Sequence, residues 1–353
     1  MTDVYFATSR APIGDPDTTD FGPDPSQQAA IIFGKAVVAD ASQDADLEQA
    51  VALQNLSSGH FWQALQDEIV NASVSDLLLF VHGFDNSFRS AINQAAKLIG
   101  WYGAGTPPVS CVAVALSWPS LDQLTPEGYG DDCQRADGAG DAFRQWMRAL
   151  IPIVAAFRNA RPGPRRVTLL THSMGNHVLA EGLQSLLGTA PGQYDPAGQA
   201  PLFDCAILAA ADEDADALSH DDKLAKLVKL VARVHVYYNN GDVPLGTISH
   251  AYHRTARLGQ SGPPDMPSFR GAPYTFVNCS AATEKKPNGE TADPEGHQYY
   301  REVRVVRDDI CGVMLGIADD KLPNRTYRED GNYYRLDIPD AGGGKRNFSK
   351  PTA

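Results

Sequence analysis

The chain has 353 residues, 43% of them hydrophobic and 21% charged, a balance that supports a sizeable globular core and argues against disorder away from the ends. A formal net charge of −13 and a pI near 5.1 oppose binding to phosphate backbones and anionic membrane surfaces, so nucleic acid is not an expected partner. No window approaches the ~20 apolar residues of a membrane span, and MTDVYFATSRAPIGDPD is not a leader. A soluble, cytoplasmic chain is expected, unless a leader has been cut away.

In chain order, the strand-like runs VYFATS (Val4 to Ser9) and FGKAVVA (Phe33 to Ala39) flank a Pro/Asp/Gly-rich loop and predict an edge hairpin. A helix from about His60 to Val70 precedes the strand LLLFVHG (Leu77 to Gly83). An amphipathic stretch from Ser87 to Trp101 leads to VSCVAVALSW (Val109 to Trp118), then to a helix from about Asp141 to Phe157. RRVTLLTHS (Arg165 to Ser173) runs into a helix from Gly175 to about Leu187. PLFDCAILAA, a Lys/Leu-rich helix and RVHVYYNN (Arg233 to Asn240) repeat the order, and a last strand, YTFVNCS (Tyr274 to Ser280), precedes a closing helix near Val303 to Ile317.

Short, continuously apolar runs suit strands buried on both faces, and the helices between them supply the crossovers of a parallel sheet. The predicted fold is therefore a doubly wound, mostly parallel α/β sheet flanked by helices. One domain is expected over 1–340, with loop insertions at about 119–140, 188–201 and 243–272 shaping the pocket, and a frayed tail over 341–353. The five cysteines are odd in number and widely spaced, so neither a disulfide framework nor a metal site is expected.

The sharpest motif is Thr171-His172-Ser173-Met174-Gly175, where an apolar strand stops and a helix begins. It matches a nucleophile elbow, with Thr171 in place of the usual first glycine. Ser173 is the candidate nucleophile; the plainer alternative is a helix N-cap. His82-Gly83-Phe84 follows LLLFV, and Gly83 permits a sharp turn, so the backbone amides of Phe84 and Met174 are the candidate oxyanion donors. The alternative there is a strand-ending glycine turn.

A serine nucleophile needs a base. Of nine histidines, His60 and His177 fall in helices, His235 in a strand, and His82 and His172 beside other turns. His297, in the loop after the last strand, has the position of a triad base; His220, His250 and His253 are rivals. Two acidic groups end successive strands, Asp242 after VHVYYNNG, and Asp212, Glu213, Asp214 and Asp216 after CAILAAA. The later strand favours Asp242, while a helix N-terminus rich in acids explains the earlier group.

The stretches VYFATSR, LLLFVHGFDNSF, VALSWPS, RVTLLTHSMGN, YYNNGD, RLGQSG, GHQYY and VVRDDI, in this order, resemble a bacterial branch of the esterase/lipase superfamily known as domain of unknown function 900, within the α/β-hydrolase fold. The resemblance implies that fold and the roles of Ser173, Asp242 and His297. Together these features predict a serine esterase acting on a small-molecule, soluble short-acyl ester without a cofactor; the alternatives are a lipase or phospholipase, an acyltransferase or an amidase using the same residues, or a non-catalytic binding protein on the same fold.

Overall fold

The computed structural model describes residues 1–14, 20–26, 30–39, 51–56, 58–71, 74–159, 163–283 and 293–338. The expected tail, 341–353, lies outside the described residues. The strands are β1 (Thr2–Thr8), β2 (Arg10–Ile13), β3 (Asp20–Pro25), β4 (Ile32–Val38), β5 (Val51–Leu56), β6 (Asp76–Val81), β7 (Cys111–Ser117), β8 (Arg166–His172), β9 (Cys205–Ala209), β10 (Val234–Tyr238), β11 (Tyr274–Asn278), β12 (Arg325–Arg328) and β13 (Tyr333–Leu336). Five helices pack on them: α1 (Ser58–Asn71), α2 (Phe88–Gly103), α3 (Pro126–Asp137), α4 (Gly140–Asn159) and α5 (Gly175–Leu186). A further helix spans Arg304–Met314.

Eleven strands form one sheet in the order β12-β13-β11-β10-β9-β8-β6-β7-β1-β4-β5. The run from β1 to β13 is parallel, and antiparallel pairing sits at the margins, in β1–β4, β4–β5 and β12–β13. This is the α/β-hydrolase layout expected from the sequence. Successive residues of one strand feed opposite cores. Leu77, Leu79 and Val81 of β6 join α1, α3, α4 and α5, whereas Leu78 and Phe80 join α2 and the Arg304–Met314 helix. Each such leucine, taken out of water, contributes about 1.5–3 kcal/mol. At the start of the same strand, Asp76 receives both prongs of the Arg166 guanidinium from β8, at 2.7 and 2.8 Å.

Several elements differ from their expectation. The predicted edge hairpin exists as β1–β4, but β5 lies outside it, and the loop between its strands holds the separate β2–β3 pair. The Lys/Leu-rich helix is replaced by 3₁₀ turns at Ala217–Ser219 and Ala225–Lys229. Leu224, Leu227 and Leu230, all buried, recur every third residue, which is the 3₁₀ rather than the α period. The stretch 119–140 is largely helical, because Thr125 caps α3 by accepting from Gly128 N–H and Pro126 occupies its first turn. Residues 243–272 hold only short helical pieces.

Tyr274–Asn278 is not the last strand, since β12 and β13 follow it and are too short and charged to read as a buried edge. Their anchor is ionic. Arg325 forks onto Asp309 at 2.8 and 2.7 Å and reaches Asp319 at 2.8 Å, while Tyr237 of β10 donates to Asp309 at 2.6 Å. Arg325 and Asp309 side chains are each 1% exposed, so removing Asp309 leaves the buried Arg325 with Asp319 as its one carboxylate among the described residues and the Tyr237 hydroxyl without its acceptor. Asp309→Ala should cost about 3–5 kcal/mol of folding stability, read as a lower urea midpoint; an unchanged midpoint would mean that the pair does not anchor the C-terminal hairpin.

Candidate active site

β6 and β8 are neighbours, yet the helices that follow them leave in opposite directions, α2 to one face of the sheet and α5 to the other. A crevice opens outside the carboxyl ends of strands at such a switch point. The turn His82-Gly83-Phe84 and Ser173 both stand there. Ser173 has φ +51°, a left-handed conformation unfavourable for serine. Asp212 N–H donates to Ser173 C=O at 3.1 Å, and the Asn176 side chain and backbone amide do so at 3.0 Å each.

Two glycines make this approach possible. A Cβ on Gly83 would lie 2.7 Å from Ser173 Cβ, and one on Gly175 would lie 2.6 Å from the His82 carbonyl oxygen. Thr171, in place of the usual glycine, is buried and donates to Asn176 Oδ1 at 2.6 Å. Helix α5 begins at Gly175, and Met174 rather than Ser173 is its cap residue, with no side-chain cap bond. Among the described residues, neither Phe84 N–H nor Met174 N–H donates to a protein acceptor, which leaves both amides available.

His297 follows β11 and Asp242 follows β10, as the sequence placed them. His297 Nδ1 lies 2.7 Å from Asp242 Oδ2, and Asp242 Oδ1 accepts Leu245 N–H at 2.9 Å. Asn239 joins the two loops by donating to Gly296 C=O at 2.7 Å, and the same carboxamide accepts Gly241 N–H at 3.0 Å. Gly296, at φ +66°, has no room for a Cβ, which would sit 2.5 Å from Asn239 Nδ2. His172, one residue before Ser173, donates from Nε2 to the His297 carbonyl at 3.2 Å, and the two rings are 4.8 Å apart. The His297 loop is thereby tied to the strand before Ser173.

Asp212 is also buried at this edge but is otherwise engaged. Arg257 Nε donates to it at 2.9 Å and Tyr129 at 2.7 Å, and Ser249 donates as well. Arg257 Nη1 also reaches Asp214 at 2.8 Å, Glu213 contacts His177, and Asp216 pairs with His220 at 3.1 Å. The remaining rivals for the base have other partners, His250 the Thr255 carbonyl and His253 the Tyr129 hydroxyl.

Burial disfavours the charged imidazole of His297, but the Asp242 carboxylate more than offsets it, and its pKa lies above the ordinary histidine value. Burial and the charge of His297 push His172 well below that value. Burial and Arg10 lower His82 to about 3. Asp137, His177 and Glu181 bring potential metal-ligating atoms within 4.8 Å of one another. Both nitrogens of His177 already meet carboxylates, Glu213 and Asp137, and burial notwithstanding these hold its pKa up at about 9. Among the described residues, no helix is long and apolar enough to cross a membrane.

Sequence reasoning did not single out Arg10, Asn86, Trp118, Asn176 or Asn239, all of which hold backbone at this site. The available signals were a polar residue ending a buried strand, as Arg10 does after β1, and asparagines inside glycine turns.

No curated protein matches the chain. The sequence profile of one family does match, over residues 58–290, and the chain belongs to that family, the α/β hydrolases of unknown function designated domain of unknown function 900.

Proposed function

We propose that the protein is a serine esterase in which Ser173 is the nucleophile, His297 the general base and Asp242 the residue that orients His297. The carrying observation is the buried His297–Asp242 contact of 2.7 Å, on loops after β10 and β11, beside an elbow that holds Ser173 at φ +51°. Asp242 accepts from Nδ1, so Nε2 is left with the lone pair that a serine proton requires. Ser173 Oγ attacks the ester carbonyl as His297 takes its proton. The Phe84 and Met174 amides donate to the oxyanion, His297 returns the proton to the leaving alcohol, and water releases the acyl group by the same steps reversed. No cofactor takes part.

Ser173→Ala should lower kcat by about 10⁶, and Asp242→Asn by about 10³ to 10⁴ by leaving the imidazole in the wrong tautomer. Asp212→Asn, measured alongside, should cost less in kcat than Asp242→Asn. A Ser173→Ala variant keeping a tenth of the activity would remove the nucleophile assignment, and the reverse order of the two acids would move the triad to β9.

The base must be neutral in the free enzyme, and Asp242 raises its pKa. It follows that kcat/KM falls as pH drops through a midpoint above about 6.5. A profile flat down to pH 4 would exclude His297.

Ser173 and His297 are buried, only 5% and 7% exposed, and the net charge of −13 gives no attraction to an anionic lipid surface. Soluble short-chain esters are the proposed substrates. Across p-nitrophenyl esters from acetate to palmitate, kcat/KM should fall with chain length, with no jump at an interface. Preference for palmitate with interfacial activation would point to a lipase instead.

A further inference from the structure

The stretches VYFATSR and VALSWPS have no part in the triad, yet their side chains converge beneath the turn that carries the Phe84 amide. Arg10 is buried, and among the described residues no carboxylate lies within ion-pair distance of it. Its donors go to Ser117 Oγ at 2.9 Å and to the backbone carbonyls of Ser120 at 2.9 Å, Gly22 at 3.3 Å and Asn86 at 2.7 Å. Burying a guanidinium against one hydroxyl and three backbone carbonyls, with no counter-charge in contact, is costly. Ser120 Oγ accepts Asn86 N–H at 3.1 Å and donates to Asp132 at 2.6 Å. Both backbone polar groups of Asn86 are thus fixed from below.

The Asn86 side chain then acts on the oxyanion turn. Its Nδ2 donates to Gly83 C=O at 3.1 Å and to Phe84 C=O at 2.8 Å, and its Oδ1 accepts from Ser90 at 2.9 Å and from Gln94. Gly83 C=O accepts a second bond, from His82 Nδ1 at 2.9 Å. His82 is held in turn: Trp118 donates to its carbonyl at 2.8 Å and stacks on its ring at 5.3 Å. In a trans peptide the C=O and N–H point in opposite directions. Pinning Gly83 C=O on one side therefore aims Phe84 N–H to the other, where among the described residues no protein acceptor meets it.

We infer that Asn86, anchored by Arg10 and Ser120, is the positioning residue of the oxyanion hole, setting the Gly83–Phe84 peptide so that its amide meets the developing oxyanion. The inference rests on the esterase reading and adds residues that do not touch substrate.

Asn86→Asp keeps the Oδ1 acceptor but replaces the donated bonds with a charged oxygen facing the Gly83 and Phe84 carbonyls, while the uncharged Ser120→Ala removes one anchor of Asn86 and controls for that added charge. With p-nitrophenyl acetate and the full chain, Asn86→Asp should lower kcat by about 10- to 100-fold and leave KM within about threefold, less than the loss of a whole oxyanion donor. Affinity for a trifluoromethyl ketone, whose hemiketal oxyanion occupies the hole, should fall by the same factor, while the pH midpoint of kcat/KM stays in place. Ser120→Ala should move kcat and ketone affinity the same way by about threefold. Wild-type kcat and ketone affinity in folded Asn86→Asp would overturn the inference, as would a loss confined to KM or to thermal stability. If Asn86→Asp does not fold, the same wild-type values in Ser120→Ala overturn it. A wild-type enzyme that neither hydrolyses the ester nor binds the ketone would instead contradict the esterase reading, and the oxyanion role would fall with it.

Discussion

The contact between the His82–Phe84 turn and the Ser173 elbow is the constraint on which the site depends. With Gly83 and Gly175 lacking Cβ atoms, two adjacent parallel strands can end with their following turns nearly touching. That proximity brings the Gly83–Phe84 turn against Ser173, and among the described residues neither the Phe84 nor the Met174 amide donates to a protein acceptor. It also fixes the topology, because only neighbouring strands whose helices leave to opposite faces leave the space above them open. The left-handed Ser173 is held in place by hydrogen bonds from Asn176 and Asp212 to its carbonyl rather than by its own preference.

The two buried carboxylates at this edge differ in their partners, and the partners set what each can do. Asp242 faces His297 and one backbone amide, so an imidazolium formed beside it is stabilised. Asp212 is saturated by Arg257, Tyr129 and Ser249, and its amide supports the elbow. It links the segments around Tyr129 and Ser249 to the strand that ends before Ser173. Tyr129 also packs edge-on against Phe84, with centroids 5.3 Å apart, so one carboxylate is linked to both turns.

Much of this was legible in the sequence where one residue type answers one physical demand. Doubly buried strands read as continuous apolar runs, and the loops with Ser173, Asp242 and His297 could be placed by strand order. The later strand already favoured Asp242, but the engagement of Asp212 could not be read, because Arg257 lies 45 residues beyond Asp212 in the chain. The β12–β13 hairpin was hidden because its stability comes from a buried ion pair rather than from an apolar pattern. Helix α3 was the reverse case, since Thr125-Pro126 is a helix start set in a stretch whose Gly, Pro and Asp content suggests a loop. Arg10 and Asn86 escaped notice because they act on backbone groups, which leave no signature in side-chain spacing.

The most direct measurement is fluorophosphonate labelling of the full chain followed by peptide mass spectrometry. The account predicts one phosphonyl group per chain, on Ser173, formed rapidly in the native protein and far more slowly in His297→Ala. Label on a different serine, or native protein that takes none, would contradict it.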